Sequence, residues 1–250
     1  MKRILITNDD GVRSDGVHAL ARAMARFGVV TIVAPHLEAS AIGHALTLRR
    51  PLRVQQLGER VYEVDGTPTD CVNIGIDEVL QGKPDIVVSG INKGLNIGDD
   101  VTYSGTVAGA LEGALLGHQA MAISLQSTRG EWDFGPAAAI AADLAATLLE
   151  RPLPNRTFLN VNVPQGSIRG IRVTVQAKRN HITKVDRRMD PRERPYFWIE
   201  EAQDDWEPHD RSDRQAITDG YVSVTPLQPD LTDHGALEQI EALVGMSGVR

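Results

Sequence analysis

The chain has 250 residues, 42% of them hydrophobic, and a net charge of −7, the profile of an ordinary globule able to bury a sizeable core. That balance excludes a nucleic-acid footprint, since the longest basic clusters, such as Arg187-Arg188, stand among acidic residues; a membrane span is excluded too, since no apolar run approaches the roughly 20 residues needed. The single cysteine, Cys71, rules out an internal disulfide framework and a multi-cysteine zinc site and reads as a structural thiol, and the N-terminus enters a strand without a signal peptide, so the expected location is cytoplasmic.

Residues 3–8 read as a short buried strand that runs directly into Asn8-Asp9-Asp10-Gly11. Two adjacent carboxylates at the end of a buried strand repel one another and lose hydration, so something must offset both costs. A bound cation does so if the backbone turns at Gly11; the plainer reading is that the pair caps the next helix. Ser14 or Asp15 opens that helix, Val17, Leu20, Met24 and Phe27 recur along it at helical spacing, and Gly28 stops it. Val29–Val33 is then a second strand, closed by Ala34-Pro35, which completes a strand, helix, strand unit of the doubly wound type.

Residues 36–47 form a loop rich in small residues that carries Ser40, Gly43 and His44, and 48–64 hold one or two short strands with a turn at Gly58. Thr67-Pro68-Thr69-Asp70 opens a helix with Thr67 as cap, Pro68 at the first position and Asp70 at the third, and Val72, Ile76 and Val79 face inward. The β-branched strand Asp85–Val88 ends in the polar loop from Ser89 to Asp100. Ser104-Gly105-Thr106 leads a helix to about His118, with Gly105, Gly109 and Gly113 on one face for close approach. Met121–Leu125 is a fourth main strand, 136–150 an alanine-rich helix stopped at Pro152, and Phe158–Val163 and Ile171–Val175 alternate as half-buried strands. From Lys178 to Ala216 charges and prolines dominate around Tyr196-Phe197-Trp198-Ile199 and Trp206, the mark of an arm that docks on something. A late strand follows at Tyr221–Leu227, and a terminal helix at 236–244 has Leu237, Ile240 and Val244 on one face.

Three strands thus end in polar loops, at Asn8–Gly11, around Ser40 and from Asn92 to Asn96. In an open parallel sheet such loops converge outside the carboxyl ends of the strands. Together they offer carboxylates, a hydroxyl and amide carbonyls, hard oxygen donors suited to Mg²⁺ or Mn²⁺ and poorly suited to Zn²⁺. Ser104-Gly105-Thr106, at a helix start, favours an anion beside them. A divalent ion next to an anion site is the equipment for phosphoryl transfer to water. The signatures of P-loop, dinucleotide-binding and serine-hydrolase proteins are absent. His44 and His118 read as structural or exposed, and Glu112 as a surface or packing partner.

Residues 8–11 (NDDG), 66–72 (GTPTDCV) and 89–113 (SGINKGLNIGDDVTYSGTVAGALEG), with the later YFWI and GYVSVTPLQPDLT, resemble the SurE family of survival proteins, metal-dependent 5′/3′-nucleotidases, over nearly the whole chain. The resemblance implies a Rossmann-like, doubly wound α/β fold with a mainly parallel sheet. It implies one divalent ion per subunit, Mg²⁺ or Mn²⁺, held by Asp9, Asp10, Ser40 and Asn92, with release of phosphate from nucleoside monophosphates and, in some members, from short polyphosphate. On that reading Asp9 and Asp10 are catalytic as well as ligating, one of them serving as base, while Asn96, Ser104, Gly105 and Thr106 orient the phosphate. The resemblance further implies homodimers formed by exchange of C-terminal segments, and often tetramers through a protruding hairpin. One SurE-like domain over 1–250 then divides into a core of about 1–177, an arm of about 178–216 and a C-terminal strand and helix of about 217–250. Members commonly carry an acidic residue after Ala-Pro and an arginine before the serine, where this chain has His36 and Ala39; loss of a cation there is expected to weaken phosphate attraction or shift substrate preference. Two other readings stand beside the nucleotidase: a regulatory module that binds a nucleotide without hydrolysing it, and a phosphatase with an aspartyl nucleophile, whose aspartates would be spaced DxD rather than adjacent.

Overall fold

The computed structural model describes residues 1–127, 130–179, 183–201 and 206–246. The predicted arm at 180–182 and 202–205, and the end of the predicted C-terminal segment at 247–250, lie outside the described residues. In chain order the first strands are β1 (Lys2–Thr7), β2 (Gly28–Pro35), β3 (Val54–Gly58), β4 (Val61–Val64), β5 (Ile86–Lys93) and β6 (Gln119–Leu125). They are followed by β7 (Phe158–Val163), β8 (Ile171–Val173), β9 (Thr183–Met189), β10 (Pro195–Glu201) and β11 (Val222–Leu227). The helices are α1 (Asp15–Met24), α2 (Pro68–Ile74), α3 (Gly105–Leu115), α4 (Gly135–Glu150), α5 (Asp213–Thr218) and α6 (Leu237–Met246).

Nine strands form one sheet in the order β3-β4-β2-β1-β5-β6-β7-β11-β8. From β4 across to β7 every pairing is parallel; β3 and β11 run antiparallel to β4 and β7. The chain winds outward from β1 through β2 to β4, then returns to the other side of β1 as β5, in register from Ile4 opposite Ile86 to Thr7 opposite Ser89. The switch in strand order therefore falls between β1 and β5, and a crevice opens at their carboxyl ends.

Alternation along β1 divides the core in two. Ile4 and Ile6 pack with Val17, Leu20 and Met24 of α1 and Ala141 and Ala145 of α4, while Leu5 packs with Cys71 and Val72 of α2 and Val107 and Ala110 of α3. Ser14 caps α1 by accepting from Gly16 N at 3.3 Å. That helix ends at Ala25, and Gly28, expected as its stop, instead opens β2. On α3 the glycine stripe lies flat on the sheet: a Cβ at Gly109 would meet Ser89 Oγ and Thr7 Cγ2 at 2.8 Å, and one at Gly113 would meet Val87 Cβ at 2.8 Å.

Neither late alternating strand is half-buried as its pattern suggests. β7 lies between β6 and β11 and is buried along its whole length, whereas β8 is the edge strand, with Ile171 and Val173 exposed. In the arm β9 and β10 form an antiparallel hairpin from Met189 opposite Pro195 to Thr183 opposite Glu201, with Val185, Phe197, Trp198 and Ile199 exposed. From Ser212 the chain rejoins the body as α5, beside β11. The stripe Leu237, Ile240, Leu243 and Val244 of α6 is exposed. Among the described residues no helix is long and apolar enough to cross a membrane.

Candidate metal and phosphate site

At the end of β1 the chain turns immediately: Asn8 Nδ2 donates to Gly11 O at 3.1 Å, and Gly11 takes φ of +94°. A continuing strand would send Asp9 and Asp10 to opposite faces, and this turn brings both to one cleft. The loop after β2 docks on the turn, with Ala39 N donating to Asp9 O at 2.8 Å and Val12 N to Pro35 O at 2.8 Å, and so delivers Ser40. At the end of β5, Asn92 Nδ2 donates one N–H to Gly94 O at 3.0 Å, and Asn92 lines the cleft. Asp9, Asp10, Ser40, Asn92, Asn96 and Ser104 thus line one cavity of about 530 Å³.

Gly105 and Thr106 stand behind this lining rather than in it. The Thr106 hydroxyl donates to Asp9 Oδ1, and a Cβ at Gly105 would fall 2.8 Å from Asp9 Cβ. The anion favoured by the start of α3 is therefore, in the first instance, the Asp9 carboxylate itself. Ser104 caps the same helix by accepting from Val107 N at 3.0 Å. Ser40 Oγ donates to Glu38 Oε1 at 2.6 Å.

Burial pushes the Asp9 carboxyl up to about 6; the Thr106 hydroxyl opposes that rise and the charge of Asp10 adds to it. Burial also raises Asp10, against the nearby Lys93 ammonium. Asp10 Oδ2 and Asn8 Oδ1 are buried with no hydrogen-bond partner among the described residues. Two carboxylates that cannot both ionise cheaply, one with an orphaned oxygen, suit a cation. The donors that converge with them are a hydroxyl and an amide oxygen, with Glu38 and Asp100 in the same lining and neither thiol nor imidazole among the lining residues, so the set is of hard oxygen type.

Two supports were not anticipated from the sequence. Asn96 N donates to Asn162 Oδ1 at 2.8 Å, Asn96 O accepts from Asn160 Nδ2 at 2.8 Å and Asn162 Nδ2 at 3.0 Å, and Asn96 Nδ2 donates to Ser124 Oγ at 2.7 Å. The signal was two amides at alternate positions of an otherwise apolar strand, on one face and fully buried. The second support is the helix cap at Thr67. Asp70 Oδ2 accepts from Thr67 N at 2.9 Å in the expected capping box, but Asp70 Oδ1 also accepts from Thr47 N at 2.9 Å, and Thr67 Oγ1 donates to Ala45 O at 2.7 Å. The cap thereby clamps the far end of the Ser40 loop. Glu112, expected as a surface or packing partner, is buried and paired. It accepts from Asn73 Nδ2 and pairs with His44 Nε2, both at 2.7 Å; burial raises its pKa, and these two bonds bring it below the usual value. His118 precedes β6 at the opposite end of the sheet from the cleft. His36 is exposed, and Ala39 contributes its backbone N–H to Asp9 O.

Fold and cleft together define a doubly wound α/β protein with an oxygen-lined acidic site at its topological switch. A sequence profile described as "Survival protein SurE" matches residues 4–183. The 5′-nucleotidase SurE of Geotalea daltonii is 51% identical over 238 residues, 94% of this chain and 96% of that protein. That of Syntrophotalea carbinolica is 50% identical over 236 residues, 94% of each. The crystal structure of the SurE protein from Aquifex aeolicus superposes with a TM-score of 0.86 at 41% identity, covering 96% of this chain and 99% of that one. The chain belongs to the SurE family.

Proposed function

We propose that the protein is a metal-dependent phosphomonoesterase that hydrolyses nucleoside monophosphates to nucleoside and phosphate, at the 5′ and 3′ positions, and also cleaves short polyphosphate. The observation that carries this reading is the convergence of Asp9, Asp10, Ser40 and Asn92 on one cleft in which a buried carboxylate oxygen of Asp10 has no hydrogen-bond partner among the described residues. Relatives named 5′-nucleotidase SurE at about half identity over nearly the full chain support the substrate class.

Asp9, Asp10, Ser40 and Asn92 would hold one Mg²⁺ or Mn²⁺ ion, which when bound supplies charge neutralisation at the phosphoryl oxygens and acidifies water. Asn96 and Ser104 meet the phosphoryl group from the other wall, and the double clamp of Asn160 and Asn162 fixes the Asn96 backbone so that the group meets a rigid surface. Gly105 and Thr106 act through Asp9, Gly105 by admitting its side chain against α3 and Thr106 by orienting one of its oxygens. One of the two aspartates takes the proton of the attacking water. The protein works in the cytoplasm, in keeping with its one buried thiol.

Phosphate released from a panel of nucleoside monophosphates, with Mn²⁺ and with EDTA, tests this reading. Release with Mn²⁺ and its loss by at least ~100-fold in EDTA are expected. Binding of a nucleotide with no phosphate released over hours would instead mark a non-hydrolysing sensor, and a trapped phospho-aspartate would revive the covalent alternative.

The subunit pairs with a second copy by exchange of its C-terminal segment. The exposed stripe of α6 supports this, because an isolated helix with so apolar a face is stable only when covered. The aromatic hairpin of β9 and β10 offers a second such surface, suited to joining dimers into tetramers. Light scattering is expected to give a dimer or tetramer for the whole chain and a monomer once residues 230–250 are removed; an unchanged mass would refute exchange.

A further inference from the structure

The cleft that holds Asp9 and Asp10 suits a phosphoryl group, and a nucleoside is larger, so a substrate of this class must extend beyond it. Three directions lead out. One crosses Ser104 into a groove of about 480 Å³ along α3, lined by Val101, Val107, Leu111 and Leu115 with Phe158, His44 and Arg156, and bordered by the segment that runs to Leu231. A second passes Tyr103, more than half exposed on the rim. The third crosses Lys93, which lines the phosphate cleft and also an adjoining open cavity of about 810 Å³ between α1 and the loop that leads into α4.

This third cavity carries the chemistry of a nucleoside site. On one side Trp132 and Phe134 are stacked, with ring centroids 6.4 Å apart and planes within 13°. Trp132 is only partly buried and lines the cavity. Lys93 and Arg22 line the same cavity, and the Lys93 ammonium also acts on Asp10 in the phosphate cleft. Two carboxylates, Asp15 and Asp133, complete the polar lining and can accept from ribose hydroxyls or an exocyclic amine. An aromatic platform with flanking cations and a few acceptors is the arrangement on which bases stack with little dependence on sequence. The groove along α3 has one ring, Phe158, and among the described residues no stacked aromatic pair lines it.

We infer that the cavity between α1 and the Trp132 loop is the nucleoside subsite, in which the base stacks on Trp132 and Lys93 bridges from the scissile phosphate to the sugar. This rests on the nucleotidase reading above and adds to it the residues that would distinguish a nucleotide from a simple phosphate ester. Because the platform holds any planar base by its face, the subsite predicts activity on purine and pyrimidine nucleotides alike, with purines ahead through their larger stacking area.

The test compares kcat/KM for AMP with kcat/KM for glycerol phosphate, which has no base, on the full chain with Mn²⁺. In Trp132→Ala the ratio of the two is expected to fall by roughly 10- to 100-fold, chiefly through KM for AMP, and Trp132→Phe is expected to restore most of it. If Trp132→Ala fails to fold, Ala23→Trp on α1, which fills the cavity from the opposite wall, is expected to lower the same ratio. Adenosine, which carries no phosphate, is expected to quench tryptophan emission in the wild type but not in Trp132→Phe. A ratio unchanged in both variants, or lowered instead by Tyr103→Ala, overturns the subsite. Loss of the nucleotidase reading would look different, because the wild type would then release phosphate from neither substrate.

Discussion

Asp10→Asn is expected to reduce phosphate release by roughly 10³-fold or more and to leave the folded protein about as heat-stable as the wild type in the absence of metal. Both halves follow from the same geometry. The Asp10 carboxylate has a buried oxygen with no hydrogen-bond partner among the described residues, beside Asp9, whose own carboxyl is pushed up to about 6 by burial and by the neighbouring charge. Substituting a neutral amide removes that repulsion and one desolvated charge, so the apo fold gains or loses little. The amide is a weaker donor for a hard cation and cannot take a proton from water, so chemistry is lost. Thermal shift separates the two effects. Added Mn²⁺ is expected to raise the wild-type melting temperature in proportion to saturation, and to leave that of Asp10→Asn unmoved. Wild-type turnover in Asp10→Asn would remove the basis for the metal site.

Much of the site was legible because its parts obey local rules. Asn8-Asp9-Asp10-Gly11 after an apolar run could end only in a turn, and the turn is there, closed by the Asn8 side chain. The glycine spacing of α3 encodes close approach, and each of the three glycines does face a residue of β1, β5 or the turn between β1 and α1. The capping box at Thr67 follows from sequence spacing alone. What could not be read locally depends on which strands become neighbours. Asn160 and Asn162 look like solvent-facing residues of a half-buried strand until the loop after β5 folds onto that face, and only then do their amides become the buried clamp on Asn96. Glu112 reads as a surface or packing partner, and its partner is set only when the Ser40 loop folds over it and brings His44 to 2.7 Å. The sequence places Thr106 at a helix start that attracts anions, and in the folded chain its hydroxyl donates to the Asp9 carboxylate. The tract after Lys178 showed no regular pattern since its hairpin, unlike the strands of the main sheet, has no buried face to impose one.

Asp213 illustrates the same dependence and leads to the largest expected loss of stability. It lies in the tract read as an arm, but it is fully buried at the start of α5, where its two oxygens join three separate stretches of backbone. Oδ2 accepts from Gly98 N at 2.9 Å; Oδ1 accepts from Ala177 N at 2.9 Å and from Arg214 N at 2.7 Å. Gly98 is held from its other side by Gln176 Nε2, which donates to Gly98 O at 3.1 Å. The short helical turn Gly98–Thr102 that begins there leads directly to Ser104 on the wall of the phosphate cleft. Burial raises the Asp213 pKa, and the three N–H donors oppose that rise, so the carboxylate is tolerated only because all of them are aimed at it. Asp213→Ala strands at least two buried N–H groups at about 1–3 kcal/mol each, which for a chain of this length corresponds to a fall in melting temperature of roughly 5–20 °C. Activity is expected to fall as well, because the loop that carries Ser104 loses its anchor. Asp213→Asn keeps the shape and one acceptor but turns an NH₂ toward another donor, so it should lie between Asp213→Ala and the wild type in melting temperature and in kcat/KM. An Asp213→Ala protein that melts with the wild type would show that these backbone groups find other partners and that the junction does not hold the loop.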